Sequence, residues 1–204
     1  MKNIEDAVST IQAAWPSIVE ECCSVLASEL HYQAMVYYCL RKEGRVPLGQ
    51  IGMNVKMWID SPVSDLFKLL DRKKHIDFQG GFEPIPDVCL FSSSVDGDWR
   101  RRKRKKTLSS LLVAIEVKAS ERKNGRLRSG EVINDIKKLA AHRAEAEARG
   151  STFLPIMMVI DTAPEKVEQM TASSLAASEA AAQENGVEFL YVSKDKTINT
   201  LGRS

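Results

Sequence analysis

Three residues of this chain have side chains that could bind a divalent cation and assist a hydrolysis. Asp87 comes just before the apolar run 88–91, and Glu116 and Lys118 follow the apolar run 111–115. If both runs are strands, Glu116 and Lys118 share one face, because side chains alternate along a strand. Pairing of the two strands would then bring Asp87 beside Glu116. Two carboxylates suit Mg²⁺, which lowers the pKa of bound water and stabilises a phosphoryl transition state.

Lys118 would complete such a site by orienting the attacking water or by stabilising charge on the phosphate. The E-x-K pattern alone is common, and the chain has a second one at residues 121–123. A glutamate and a lysine on a strand also form solvated faces or cross-strand ion pairs. Pro86-Asp87 and the apolar residues before Glu116 favour the metal site over these alternatives.

A long helix is expected upstream of these strands. It is predicted to begin at Pro16, a residue suited to the first helical position, and to end at Gly44. An apolar stripe that includes Val25 and Tyr32 also contains Glu29. A carboxylate among apolar neighbours needs a partner or a function, because burial of an unpaired charge is costly.

The remaining elements alternate between strands and helices. The predicted strands are 51–59, 87–91, 111–119, 152–161 and 187–193, and the predicted helices are 61–74 (capped by Ser61), 131–149 and 164–185. Residues 92–109 are predicted to form a long basic loop and residues 194–204 a loose tail. Such alternation favours an α/β sandwich with a central sheet covered on both faces. No glycine-rich nucleotide-binding motif follows a strand, which argues against a dinucleotide or P-loop fold.

With this order of elements, Pro86-Asp87 and Glu116-Val117-Lys118 resemble the PD-(D/E)xK phosphodiesterase superfamily, also called restriction-endonuclease-like. The resemblance covers roughly residues 16–161. It implies a single domain over residues 1–204, with a core at 16–193, built as a three-layer α/β/α sandwich with a central mixed β-sheet.

The resemblance also implies an activity, the Mg²⁺-dependent hydrolysis of DNA phosphodiester bonds by an endonuclease of restriction type, with Mn²⁺ as a substitute. Asp87 and Glu116 would bind the metal and Lys118 would assist the water. Many members carry a further acidic residue on the first helix, for which Glu29 is the candidate. A homodimer is expected by analogy, since cutting two strands takes two sites.

Other functions are left open by the same residues. Junction resolution, repair and mobile-element processing are alternative roles for a nuclease. A non-catalytic nucleic-acid-binding module of the same fold is a second class, and a small α/β protein that binds a protein partner is a third.

Positive charge is concentrated in one stretch. The net charge is +2, yet residues 100–106 are all cations, so the rest of the chain is mildly acidic. This stretch could neutralise phosphates without reading sequence, and Trp99 could stack on a base. A solvated loop is the alternative. The predicted nucleic-acid contacts are Arg100, Arg101, Arg102, Lys103, Arg104, Lys105, Lys106, Arg126 and Arg128.

The overall composition is that of an ordinary globular domain, with 204 residues, 44% hydrophobic and 27% charged. No apolar run is long enough to span a bilayer, and the first residues lack the apolar core of a signal peptide. We therefore expect a cytoplasmic protein that does not contact a membrane.

Overall fold

Six strands form one mixed sheet in the structure, a computed structural model that describes residues 1–100 and 105–202. The strands are β1 (Ile51–Met53), β2 (Ile59–Asp60), β3 (Gly81–Phe82), β4 (Val88–Phe91), β5 (Leu111–Ala119), β6 (Leu154–Ile160), β7 (Glu188–Val192) and β8 (Thr197–Asn199). The helices are α1 (Ile4–Ser24), α2 (Glu29–Lys42), α3 (Asp65–Arg72), α4 (Lys105–Ser109), α5 (Ser129–Glu147) and α6 (Ala172–Glu184). The sheet order is β1-β4-β5-β6-β7-β8, and β2 and β3 form a separate ribbon.

The central strand β5 sets the geometry of the sheet. It pairs antiparallel with β4 and parallel with β6, and α5 makes the crossover that a parallel pair requires. Residues 111–115 are buried, because helices cover the sheet on both faces. This double burial explains why the strand is apolar at every position before Glu116.

Each face of the sheet has its own hydrophobic core. On one face, Tyr32 and Val36 of α2 share a core with Ile115 of β5. On the other face, Ile136 of α5 and Ala182 of α6 share a core with alternate strand residues. The predicted α/β architecture with a central mixed sheet is confirmed. Among the residues that the structure describes, no helix is long and apolar enough to cross a membrane.

The single long helix predicted from Pro16 to Gly44 is wrong, because two helices occupy this part of the chain. α1 begins twelve residues earlier than expected, at Ile4, and contains Pro16 in its interior. The backbone becomes extended at Val25, and α2 begins only at Glu29. Glu29 is therefore the first residue of a helix and not part of a continuous stripe.

The break between α1 and α2 is stabilised by the side chain of Tyr32. Its hydroxyl donates a hydrogen bond to Val25 O at 3.0 Å and accepts one from Ala27 N at 3.1 Å. The same oxygen lies 3.0 Å from the Thr162 hydroxyl. Backbone groups that a continuous helix would have paired are thus satisfied by a buried tertiary contact.

Two residues with positive φ interrupt the predicted strand 51–59 and shift the start of the next helix toward the C-terminus. Asn54 has a φ of 51° and lies just after β1, while Ser61 has a φ of 46° and does not cap α3. The N-cap of α3 is Ser64. The Glu145 carboxylate of α5 accepts hydrogen bonds from Val63 N at 2.9 Å and Ser64 N at 2.7 Å, so a distant residue supplies the cap.

Three less regular segments also differ from their predictions. The connection 92–109 contains α4, and the helix predicted from residue 164 begins only at Ala172. Before that helix, the Asp161 carboxylate accepts a hydrogen bond from Met170 N at 2.9 Å and holds the loop in place. The predicted loose tail contains β8, which pairs antiparallel with β7 and buries Ile198.

We expect Tyr32→Phe to lower the free energy of unfolding by about 1–3 kcal/mol, because Ala27 N–H and the Thr162 hydroxyl lose a buried partner. Urea unfolding followed by circular dichroism measures the change. The control is Tyr38→Phe on the same helix, where the side chain is 52% exposed and the change should stay below about 0.5 kcal/mol. Equal losses in the two variants would contradict this role for Tyr32.

Candidate active site

All four residues predicted to be catalytic line one cleft at one end of the sheet. The cleft has a volume of about 280 Å³ and is lined by residues of α2, α5 and the β4–β5 pair. Its charged lining residues include Glu29, Asp87, Glu116, Lys118, Asp135 and Lys138. The structure therefore brings the predicted residues together and adds two from α5.

The register of β4 and β5 places Asp87 beside Glu116. Val88 lies opposite Ile115 in this antiparallel pair, so the preceding residue faces Glu116. The Asp87 carboxylate accepts a hydrogen bond from Val117 N at 2.7 Å, and both carboxyl groups line the same cleft. The two carboxyl groups are thus neighbours across the strand pair and open into one cleft.

Both carboxyl groups are difficult to ionise. Burial raises the pKa of Asp87 to about 6; the hydrogen bond from Val117 N opposes the rise and the charge of Glu29 adds to it. Burial also raises the pKa of Glu116 well above its usual range, and the charges of Asp87 and Asp135 raise it further. Like charges in a poorly solvated site favour retention of a proton. A bound divalent cation would relieve the same repulsion.

Lys118 connects carboxylates from two helices. Its Nζ donates hydrogen bonds to both Glu29 oxygens, at 3.0 and 3.1 Å, and lies 3.2 Å from Asp135 Oδ2. Burial alone would lower the pKa of Lys118, but the hydrogen bond with Glu29 and the charge of Asp135 outweigh it and raise the pKa. Lys118 is therefore a cation at neutral pH and acts as a hydrogen-bond donor, not as a general base.

The second E-x-K pattern, at residues 121–123, holds the two helices that supply these carboxylates. Glu121 Oε2 accepts a hydrogen bond from Glu29 N at 2.7 Å, at the start of α2. Arg122 forms an ion pair of 2.6 Å with Glu131 in the first turn of α5. The loop after β5 thus positions Glu29 and α5 around Lys118.

Asp135 is the site residue that the sequence prediction missed. It is only 8% exposed, and its Oδ1 accepts a hydrogen bond from Lys138 Nζ at 2.7 Å. A signal was present, because Asp135 lies three residues after Val132 and four before Leu139, on the inner face of the helix. A carboxylate at that position of an apolar stripe needs a partner, which Lys118 supplies.

The strand ends that the connection between β4 and β5 joins lie away from the cleft, at the other end of the strand pair. β4 runs away from Asp87, and β5 runs back toward Glu116. Arg100 forms an ion pair of 2.8 Å with Asp98. Trp99 stacks on Phe91 with ring centroids 4.6 Å apart, and its stacking on a base stays a prediction.

The other predicted nucleic-acid contacts are dispersed. Arg126 donates hydrogen bonds to Val167 O at 3.1 Å and Lys166 O at 3.2 Å and so holds a loop. Arg128 and Lys106 are exposed, and neither lines the cleft. Arg101, Arg102, Lys103, Arg104 and the side chain of Lys105 lie outside the described residues.

The donor set of the cleft can be compared with the needs of a metal ion. Within residues 1–100 and 105–202, no group of three or more His, Cys, Asp or Glu side chains is arranged to hold a metal. Asp87 and Glu116 offer two adjoining carboxyl groups that repel one another when ionised. Mg²⁺ is commonly bound through one or two carboxylates together with waters and substrate phosphates, so this pair fits Mg²⁺.

Comparisons with known proteins assign no family to this chain. No protein-family model, no curated protein and no solved structure matches it. The resemblance to the PD-(D/E)xK superfamily thus stays a prediction, and the chemistry of the cleft carries the functional inference.

We expect Glu116→Gln to stabilise the protein at high pH. Groups whose pKa is raised by folding destabilise the native state once they ionise, so wild-type stability should fall as the pH rises through about 6. The amide keeps the shape of the side chain and removes one charge. The variant should be more stable by about 1–3 kcal/mol at about pH 8, and the gain should shrink below about pH 5.

Urea unfolding across this pH range provides the measurement. Glu184→Gln is the control, since Glu184 is exposed on α6 and its replacement should leave the pH dependence unchanged. Parallel pH profiles for wild type and Glu116→Gln would contradict a repelling pair in the cleft.

Proposed function

We propose that the protein is a Mg²⁺-dependent endonuclease of restriction-endonuclease-like fold that hydrolyses DNA phosphodiester bonds. The observation that carries the proposal is the placement of the Asp87 and Glu116 carboxyl groups side by side across the β4–β5 pair, in one cleft with Lys118. The antiparallel pair β4–β5, followed by α5 and the parallel strand β6, supports it. These elements carry the residues of the motif in the order that the resemblance implies.

Each residue of the cleft has a chemical role in this proposal. Asp87 and Glu116 would hold Mg²⁺, which when bound supplies a water of lowered pKa and neutralises charge on the phosphate. Lys118 would donate a hydrogen bond to the attacking water or to a phosphate oxygen. Glu29 and Asp135 keep the Lys118 ammonium charged and fixed in position.

The charge balance of the cleft favours metal-dependent binding of the substrate. The cleft is lined by five carboxyl groups and by two ammonium groups, those of Lys118 and Lys138. A cleft with this excess of acidic groups repels a phosphodiester until a cation is bound. The proposal therefore includes DNA binding that requires a divalent cation at this end of the sheet.

The cleavage assay described below also distinguishes between the possible DNA substrates. Restriction-type cleavage of duplex DNA by a homodimer is the first version, and junction, repair or mobile-element substrates are the others. A non-catalytic nucleic-acid-binding module is the outcome if the protein binds DNA in the presence of the metal and cuts none of these substrates.

Purified protein with Mg²⁺ or Mn²⁺ should nick or cut at least one of plasmid, branched and single-stranded DNA. Asp87→Asn and Lys118→Met should each lower the rate by about 100-fold or more, because each removes a group that acts on the reacting phosphate. Lys137→Met is the matched control, since Lys137 is exposed on α5 and should be replaceable without loss. Unchanged cleavage by the first two variants, with folding verified by circular dichroism, would refute the assignment.

Metal binding can be measured without catalysis. Saturating Mg²⁺ should raise the melting temperature of the wild-type protein at about pH 8, because a ligand that binds only the folded state stabilises it. Asp87→Asn and Glu116→Gln should abolish most of this shift, whereas Glu184→Gln should retain it. A shift that is absent in the wild type argues against Mg²⁺ at this site.

A further inference from the structure

The cleft has a second, apolar end that the proposed hydrolysis does not use. Its walls include Phe67, Phe82, Leu139 and His142. The Phe67 and Phe82 rings are stacked, with centroids 4.3 Å apart and an interplanar angle of 29°. Phe67 is buried and Phe82 is partly exposed, so the aromatic pair contributes surface to the cleft.

His142 adds a polar atom without a partner to this apolar end. The side chain is 1% exposed, and its Nε2 has no hydrogen-bond partner within the part of the chain that the structure describes. Its ring packs near Phe67 and Phe153, with centroid distances of 6.5 and 4.8 Å. Burial lowers the pKa of His142 to about 3, so the imidazole is neutral at physiological pH. Buried polar atoms are nearly always paired, and His142 lines the cleft, so a group bound in the cleft could supply the partner of Nε2.

A stiff segment links the aromatic end to the carboxylate end. Residues 82–86 all line the cleft between Phe82 and Asp87. Pro84 and Pro86 restrict the backbone of this segment, and Met57 N donates a hydrogen bond to Pro84 O at 3.2 Å. The aromatic pair is therefore held at a fixed position relative to Asp87.

We propose that the aromatic end of the cleft binds one unpaired nucleobase, packed against the Phe67–Phe82 pair and hydrogen-bonded through its edge to His142 Nε2. A nucleobase is flat and apolar on its faces and carries donors and acceptors along its edge, which matches this lining. The proposal rests on the proposed function, because the phosphate beside the base would be the one that Asp87 and Glu116 address. The substrate class would then be DNA with a single-stranded or extruded nucleotide, since a base stacked inside a duplex cannot enter the cleft.

The test uses three DNA hairpins that differ at one position, which is unpaired, abasic or fully paired. Binding is measured by fluorescence anisotropy with Ca²⁺ in place of Mg²⁺. The wild-type protein should bind the hairpin with the unpaired base about tenfold more tightly than the abasic hairpin, because only the former offers an aromatic contact and an edge hydrogen bond. The abasic hairpin keeps the phosphate, so the ratio of the two affinities measures the contribution of the base alone.

Variants assign the preference to the aromatic end. His142→Phe keeps a ring and removes Nε2, and Phe82→Leu removes the partly exposed ring; both should reduce the tenfold ratio to near unity. Phe82→Tyr keeps the ring and should retain most of the ratio. Phe78→Leu is the matched control, because Phe78 is 70% exposed and does not line this cleft.

The outcomes separate the two proposals. A wild-type protein that binds the unpaired and abasic hairpins equally, or cuts paired DNA as fast as unpaired DNA, overturns the base site while the hydrolytic function stands. Retention of the base preference in Lys118→Met, with cleavage lost and both proposed metal ligands in place, supports both. A His142→Phe variant that becomes more stable and keeps the full preference shows that His142 is only a core residue, and overturns the assignment of Nε2.

Discussion

The ammonium group of Lys118 joins the two helical layers that cover the sheet. It contacts Glu29 of α2, which packs on one face, and Asp135 of α5, which packs on the other. An ion left unpaired at this depth would destabilise the protein by several kcal/mol, so both helices must present their carboxylates at the same end of β5. The break between α1 and α2 and the hydrogen bond from Glu29 N to Glu121 together place the Glu29 carboxylate at this end of β5.

The two carboxyl groups of the cleft, Asp87 and Glu116, destabilise the fold when they ionise. Asp87 and Glu116 would be easier to accommodate as neutral groups, yet the strand register holds them together. Groups whose pKa values are shifted by burial and by like charges are characteristic of functional sites. Hydrophobic burial elsewhere in the sheet offsets this loss of stability, since the strand residues that precede Glu116 are buried in the two cores.

The residues of the site were largely predictable from the sequence. Alternation along a strand places Glu116 and Lys118 on one face, and the pairing of the strands that begin after Asp87 and end near Glu116 places Asp87 beside Glu116. Asp135 could also have been predicted, because it lies in the apolar stripe of its helix. The break between α1 and α2 that precedes Glu29 could not be predicted, because it depends on hydrogen bonds of the Tyr32 hydroxyl that form only when the layers pack. The cap of α3 by Glu145 is equally non-local, and local sequence carries no signal for either.

The connection between β4 and β5 can vary in length without moving the two strands that it joins. Both of its ends lie away from Asp87 and Glu116, at the far edge of a paired ladder. The free energy of closing a loop grows only with the logarithm of its length, by about 0.6 kcal/mol per doubling. A longer connection can therefore keep the same strand register. A change in the length of this connection can therefore leave the positions of Asp87 and Glu116 unaltered.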